Sequence, residues 1–178
     1  KIEFEELRTV TKEDAEGNKV EVVLGRSGEL RIVDVNTGII LQTANIPYGS
    51  HMMVKDGAVL DKGAVVCKWD PYNAVILSEV NGKLAYDSVE EGVTFREEVD
   101  EQIGFREKVI IESRDKKKIP GMRIVDAKSG EELKVYNLPV GAHLTRNDND
   151  KVQAGYILAK IPRLTGKTGD ITGGLPRV

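Results

Sequence analysis

The chain has 178 residues, of which 40% are apolar and 31% charged, and its formal net charge is −3. That composition is ordinary for a soluble protein, and the slight negative charge does not indicate a nucleic-acid binder. No apolar run approaches the ~20 residues of a membrane span and no signal-peptide pattern opens the chain, so we expect a cytoplasmic protein without membrane contact. The lone Cys67 excludes an internal disulfide, which fits a reducing compartment.

The predicted elements, taken from the beginning, are short strands. Residues 1–4 (KIEF) are typical of a strand and lack a start methionine, so we expect a segment of a longer protein. The turn Glu16-Gly17-Asn18 predicts a hairpin that leads into a strand over residues 20–24. A further strand is predicted over residues 75–80, and Asn81-Gly82 after it predicts a tight hairpin. No stretch has a convincing helical periodicity, which indicates an all-β protein.

An ungapped internal repeat is the strongest feature of the sequence. Residues 30–71, which begin LRIVD, align with residues 122–163, which begin MRIVD, at an offset of 92. A match of this length indicates a duplicated structural unit. The identical pairs include Asp34/Asp126, Gly38/Gly130, Asn45/Asn137, Pro47/Pro139, Gly49/Gly141, His51/His143, Asp56/Asp148 and Gly63/Gly155. Residues 83–86 (KLAY) also resemble residues 1–4 at an offset of 82, which places ten extra residues of the second copy within residues 87–120.

The repeat predicts two small β domains, over residues 1–74 and 75–163, and an exit segment over residues 164–178 that is rich in glycine and threonine. These ranges contain 74 and 89 residues, which is small but enough for a core of Val, Ile and Leu.

Charges are segregated within the lengthened part of the second copy. Acidic residues concentrate over residues 87–101, and basic residues over residues 114–118. One interpretation is that these are solvated loops, as charge runs usually are. The other is a docking surface, for which Lys116, Lys117 and Lys118 form the candidate contact patch.

No motif predicts catalysis or a cofactor. Gly166-Lys167-Thr168 resembles the end of a phosphate-binding loop, but Ile161 stands where that loop needs its first glycine. His51 and His143 occupy the same repeat position and have no cysteine or second histidine at ligand spacing, so we predict no metal site. Cys67 lies in an apolar run without an adjacent base, which does not favour a nucleophile.

The spacing of Gly49, Asp56-Gly57 and Gly63 resembles that of biotinyl and lipoyl carrier domains. Those domains present a modifiable lysine at a hairpin tip, whereas residues 69–74 (WDPYNA) contain none and Lys68 is only a neighbour. A free-standing carrier or ligand-binding β domain is therefore the alternative function. A biotin or lipoyl adduct found by mass spectrometry would support it.

A second resemblance rests on the end of the chain. Its residues are Asp170, Ile171, Thr172, Gly173, Gly174, Leu175, Pro176, Arg177 and Val178. They closely resemble the β′ subunit of bacterial DNA-directed RNA polymerase, in which this motif resumes the trigger loop after a large lineage-specific insertion. Upstream pieces, among them residues 47–49, 69–71 and 159–162, are similar to that insertion, so the resemblance covers nearly the whole chain.

This resemblance implies a trigger-loop insertion built from two tandem sandwich-barrel hybrid motifs. It implies a non-catalytic part of a nucleotidyltransferase, one that modulates trigger-loop movement, elongation and pausing. The implied partners are the α, β, ω and sigma subunits, and downstream DNA and transcription factors are further candidates. In that family the catalytic Mg²⁺ aspartates and the Zn²⁺-binding cysteines lie elsewhere in the subunit. Only about residues 167–178 would belong to the trigger loop itself.

We expect the isolated chain to fold and to have no enzymatic activity, because the repeat units are complete and no catalytic group is recognised. The measurement is nucleotide incorporation on a primed template, with the assembled polymerase as positive control. Incorporation by the purified chain would contradict this expectation.

Overall fold

The structure is a computed structural model that describes residues 1–99, 101–102 and 104–163. Over these ranges the chain forms short strands and no helix, which confirms the prediction of an all-β protein. The first eight strands are β1 (Ile2–Glu5), β2 (Thr9–Glu13), β3 (Lys19–Val23), β4 (Glu29–Val33), β5 (Ile40–Asn45), β6 (His51–Met52), β7 (Cys67–Lys68) and β8 (Asn73–Leu77). The others are β9 (Gly82–Asp87), β10 (Phe95–Val99), β11 (Arg106–Ile110), β12 (Gly121–Val125), β13 (Glu132–Asn137), β14 (His143–Leu144), β15 (Lys151–Val152) and β16 (Ile157–Pro162).

These strands form four sheets. In the first copy of the repeat, β1–β4–β5 is one sheet and β2–β3–β6–β7 is the other. The second copy repeats this plan in β13–β12–β9–β15 and β10–β11–β14–β16–β8. Two small sheets with antiparallel pairing in each copy are consistent with a sandwich-barrel type of fold, while the specific hybrid motif stays a prediction.

The predicted duplication is confirmed down to the strand register. The β4–β5 and β12–β13 pairs match residue for residue at the offset of 92. Each pair has a bulge at the same place, between Ile32 and Val33 in one and between Ile124 and Val125 in the other. The short strands agree as well, because His51 pairs with Lys68 and His143 pairs with Lys160.

The same registers locate the ten extra residues of the second copy. Ile2 pairs with Ile32 and Leu84 pairs with Ile124, so β1 and β9 are related by an offset of 82. Val10 pairs with Val22 and Arg96 pairs with Val109, so the offset is 86 between β2 and β10 and 87 between β3 and β11. The offset therefore rises by four residues before β10, by one within the β10–β11 hairpin and by five between β11 and β12. The sequence prediction that the extra length lies within residues 87–120 is confirmed.

In each copy, an aspartate holds the turn that joins the two strands of this pair, β4–β5 or β12–β13. The Asp34 carboxylate accepts hydrogen bonds from the backbone N–H groups of Asn36 and Thr37, both at 2.8 Å. Asp126 accepts two equivalent bonds in the second copy. These bonds favour the charged form and hold the pKa of both carboxyl groups below the usual 3.8. Residues 36–38 and 128–130, which follow LRIVD and MRIVD in the two copies and have the composition of turns, thus form equivalent turns.

Two compact units can be distinguished. Unit 1 comprises Lys1–Trp69, Leu77–Asn81 and Val152–Tyr156, and unit 2 comprises Asp70–Ile76, Gly82–Lys151 and the chain from Ile157. Neither unit is one continuous stretch. The predicted boundary between residues 74 and 75 falls inside β8, and the division into residues 1–74, 75–163 and 164–178 stays a prediction.

The core of unit 1 follows from the alternation of its strands. In β1, Ile2 is fully buried and Phe4 packs beside the same core, while the intervening Glu3 is partly exposed. Alternate residues of a strand point to opposite faces, which explains this pattern. The buried cluster consists of Ile2, Val23, Leu30, Ile46 and Met52. At the equivalent positions of unit 2, Leu84, Ile110, Met122 and Leu138 are buried.

The hairpin predicted at Asn81-Gly82 is wrong. Gly82 is the first residue of β9, and β8 and β9 belong to different sheets. A Cβ atom on Gly82 would lie 2.6 Å from the backbone oxygen of Val125 and 2.7 Å from the Ile124 side chain. Glycine is therefore required because β12 passes so close to β9, and no tight turn is involved.

The turn before β15 contains the left-handed residue Asn149, with φ of 68°. Gly57 holds the equivalent place in the first copy, with φ of 81°. Both donate a backbone hydrogen bond to the first strand of their own copy, Asn149 to Leu84 at 2.8 Å and Gly57 to Ile2 at 2.9 Å. The left-handed region disfavours most side chains, and asparagine tolerates it better than most.

We predict that Asn149→Ala lowers the free energy of unfolding by about 1 kcal/mol, whereas Asn149→Gly leaves it unchanged or slightly raised. Urea denaturation of the 178-residue chain measures both. Gly57→Asn and Gly57→Ala are the matched pair in the first copy, and we expect the same order there. Equal stability of the alanine and glycine variants at residue 149 would contradict the explanation by backbone strain.

Candidate contact surface of the second unit

The second copy is longer at three connections, and two of them overlap the predicted charge runs. The first, residues 88–94, follows β9 and lies within the acidic run. The second is the β10–β11 hairpin, and the third, residues 111–120, joins β11 to β12 and contains the basic run. Ser88 begins the first loop with a left-handed φ of 53°. Glu6, at the equivalent place of the first copy, has φ of 51°, so this conformation belongs to the fold and not to the added residues.

The first loop is anchored by Thr94, a fully buried residue. Its Oγ1 accepts a hydrogen bond from the backbone N–H of Glu90 at 2.7 Å and donates one to the carbonyl oxygen of Ser88 at 2.7 Å. The carbonyl oxygen of Thr94 accepts a further bond from Ile111, the first residue after β11. The buried hydroxyl thus fixes the backbone of the loop and, with it, the position of Glu90.

Glu90 and Lys118 join the two loops. The Lys118 Nζ atom lies 2.6 Å from Oε2 of Glu90, and both side chains are partly exposed. The hydrogen bond that Lys118 donates to Glu90 is the main cause of the raised pKa of Lys118, and the charges of Glu90 and Asp115 add to it. The acidic and basic segments, which the sequence shows as separate runs, therefore meet at this ion pair.

Lys116 and Lys117 are exposed at the tip of the third loop. The carboxylate of Asp115 accepts a hydrogen bond from the backbone N–H of Lys117 at 3.0 Å, and the backbone N–H of Asp115 donates one to Oγ of Ser113 at 3.1 Å. The tip is therefore an ordered turn. Of the predicted patch, two lysines face solvent and the third, Lys118, is held in an ion pair.

Most of the acidic run is paired within the unit. The ion pairs are Asp87–Arg123 at 2.7 Å, Glu97–Arg106 at 3.7 Å and Glu98–Arg96 at 2.5 Å. Arg31 and Glu5 form the counterpart of the first pair in the other copy, so that pair belongs to the fold. These contacts favour the interpretation of solvated, internally neutralised charges for the acidic residues. In the basic run, Arg114, Lys116 and Lys117 are exposed.

The other residues singled out in the sequence do not join this surface. The return motif Asp170–Arg177 and the Gly166-Lys167-Thr168 stretch lie outside the described residues. Burial, with a smaller contribution from Lys12, lowers the pKa of His51. The Nδ1 atom of His143 lies 2.7 Å from a carboxylate oxygen of Glu107. Over the described ranges, His, Cys, Asp and Glu side chains form no group of three that could hold a metal ion.

Cys67 packs beside the core of unit 1. Its equivalent in the second copy is the fully buried Ala159, so the position accepts a small apolar side chain. Burial raises the pKa of the Cys67 thiol, which reduces its thiolate fraction at neutral pH. A nucleophilic role is not supported.

Sequence reasoning placed Glu90 in the acidic run but did not predict its ion pair with Lys118, and it missed Thr94. Thr94 looks like an ordinary loop residue, and its role depends on burial that no local pattern reveals. The opposite charges of residues 87–101 and 114–118 were the only available signal that the two segments meet.

The described residues contain no helix that is long and apolar enough to cross a membrane. Together, the fold and the surface define a duplicated all-β module with ordered, charged loops in its second copy.

No protein-family model matches the chain. Curated relatives match it over nearly all of its length, and each is named DNA-directed RNA polymerase subunit beta′. The identity is 57% over 178 residues in Flavobacterium johnsoniae, 53% over 178 residues in Phocaeicola vulgatus and 50% over 177 residues in Azobacteroides pseudotrichonymphae. These alignments cover 99–100% of this chain and 12% of each relative. The chain belongs, as one segment, to the family of bacterial DNA-directed RNA polymerase β′ subunits.

We predict that Thr94→Val lowers the free energy of unfolding by about 1 kcal/mol, because it removes the part-buried hydrogen bonds of its hydroxyl to the N–H of Glu90 and the carbonyl oxygen of Ser88. Thr94→Ser keeps the hydroxyl and is the matched control. Urea denaturation provides the measurement. If the valine variant is as stable as the serine variant, the hydroxyl does not anchor the loop.

Proposed function

We propose that the chain is a non-catalytic insertion in the trigger loop of a bacterial RNA polymerase β′ subunit and that it modulates transcription elongation and pausing. The observation that carries this proposal is the pattern of the matches. The whole chain aligns with its relatives at 50–57% identity, yet it spans only 12% of their length. The resemblance of residues 170–177 to the return of the trigger loop supports the same placement.

The proposed mechanism is a shift between conformations. An insertion in a loop that opens and closes during each nucleotide addition moves with that loop. Any surface that binds the insertion better in one position favours that position by the difference in binding free energy. A preference of ~1.4 kcal/mol changes the ratio of the two states about tenfold, so weak contacts suffice to change a pausing rate.

The proposed partners follow from the parent enzyme. They are the rest of the β′ subunit and the α, β, ω and sigma subunits, with downstream DNA and transcription factors as further candidates, in the cytoplasm. The Mg²⁺ and Zn²⁺ of the parent subunit are proposed to bind outside this chain, and we propose no cofactor for the chain itself. In this chain, the exposed Lys116 and Lys117 have the chemistry for contact with an acidic surface or a phosphate backbone.

The carrier alternative receives less support from the geometry. Lys68 lies in β7 and pairs with His51, away from a hairpin tip. The following turn is closed by Asp70, which accepts hydrogen bonds from the backbone of Tyr72 and the side chain of Asn73, both at 2.8 Å. A biotin or lipoyl adduct on Lys68, detected by mass spectrometry of the native protein, would reinstate it.

The general test is deletion of the insertion from the complete subunit. We expect the reassembled polymerase to retain nucleotide addition and to change its pause lifetimes, because the catalytic groups lie elsewhere while the bias on the trigger loop is lost. A deletion enzyme with unchanged pausing would refute the proposed function.

We predict that replacing Lys116, Lys117 and Lys118 together by Gln changes pausing or elongation of the complete polymerase and leaves the fold intact. Because Lys118 already pairs with Glu90, the Lys116→Gln, Lys117→Gln double variant should reproduce most of the effect. Lys118→Gln alone is the matched control and should have the smaller effect. The assay is run at low salt, where exposed charges are least screened. Unchanged pausing of the triple variant there would remove the patch from the mechanism.

A further inference from the structure

The strand β5 is an exposed edge with an unusual composition. It ends the β1–β4–β5 sheet, and all six of its residues, Ile40–Asn45, are exposed. Ile39 before it is 61% exposed and Leu41 within it is 64% exposed. The stretch from Val35 to Asn45 contains no charged residue. Unit 1 therefore presents an apolar, uncharged strand edge to solvent.

The second copy of the repeat provides an internal comparison. The strand β13 occupies the same position, with the same register and the same bulge. Glu131, Glu132 and Lys134 stand there in place of Ile39, Ile40 and Gln42. Charged side chains on an edge strand prevent pairing with other strands, and an unprotected apolar edge favours it. In the same fold, the edge strand β13 therefore has protecting charged residues and the edge strand β5 has none.

We propose that β5 is a docking strand for an extended, uncharged segment of the same β′ subunit that lies outside these 178 residues. The segment would add to the β1–β4–β5 sheet by backbone hydrogen bonds and place apolar side chains against Ile39, Ile40 and Leu41. The inference rests on the proposed function only in that the chain is part of this subunit. It does not depend on an effect on pausing.

The composition of β5 indicates a tethered partner. An edge of six residues without charge offers few contacts and no electrostatic steering, so it would recruit a freely diffusing partner poorly. The relatives are about eight times longer than this segment, since the chain spans 12% of their length, and most of the subunit is therefore covalently linked to it. Tethering raises the effective concentration of a partner segment to about the millimolar range, which makes a weak strand contact sufficient.

The test is photo-crosslinking in the assembled polymerase with the complete β′ subunit. A benzophenone amino acid replaces Leu41 in one variant and the equivalent Leu133 in the matched variant, since both side chains are exposed at the same bulge. We expect the probe at residue 41 to form a crosslink within the same subunit, mapped by mass spectrometry to a segment outside residues 1–178. Its yield should exceed that of residue 133 by about tenfold, because only the uncharged edge pairs.

A second set of variants separates docking from mere proximity. The double variant Ile39→Glu, Ile40→Glu introduces the residues that the second copy already carries at these positions of the same fold. It should lower the crosslink yield from residue 41 by about tenfold, because the new carboxylates would lose their hydration in the paired edge. Val65→Glu, at another exposed apolar position of unit 1, should leave the yield unchanged.

Several outcomes would overturn the inference. They are an absent adduct, a crosslink to a second copy, to another subunit or to nucleic acid, and a yield that the glutamate pair does not lower.

The two proposals fail separately. A crosslink with unchanged pausing in the deletion enzyme refutes the modulating function only, and altered pausing without the crosslink refutes the docking strand only.

Discussion

Each copy of the repeat depends on one long-range connection between its first strand and a turn that follows 52–56 residues later in the first copy and 62–66 residues later in the second. In the first copy, the N–H of Ile2 donates to the oxygen of Ala58, and the N–H of Phe4 donates to the carboxylate of Asp56, each at 2.9 Å. In the second copy, Leu84 and Tyr86 make the same bonds to Asp150 and Asp148, each at 2.8 Å. This connection holds the first strand in place beside β4 or β12, and the core then packs on its buried face. It explains why the aspartate is one of the residues that both copies retain.

The duplicated scaffold separates what must be kept from what can vary. Core positions exchange one apolar side chain for another, such as Leu30 for Met122, because volume and burial matter there more than shape. The turn aspartates and the bulge are kept because they set the register. The strand edges and the loops have diverged, and it is in these that the two copies differ in charge. The chemistry that distinguishes the copies therefore lies at the surface.

Much of the fold could be predicted because its signals are local or repeated. Local composition marked the first strand and the turn at Glu16-Gly17-Asn18, and the two copies aligned with each other, so even the offset of 82 for the first strand was correct. The failures share a different cause. Asn81-Gly82 has the composition of a hairpin turn, but the glycine is required by the approach of Val125, more than forty residues away. The contact between Glu90 and Lys118, and the burial of Thr94, likewise depend on tertiary packing that one sequence does not encode in any short pattern.

The stepwise offsets between the copies have a consequence for how such insertions change in length. Adding one residue inside a paired strand would turn every following side chain to the opposite face of the sheet. The second copy gained its ten residues only between strands, after β9, within the β10–β11 hairpin and after β11. Insertions and deletions that accumulate across lineages should therefore concentrate at these three connections. The β4–β5 type of turn, in which one aspartate holds two backbone N–H groups, should keep its length even where its residues drift.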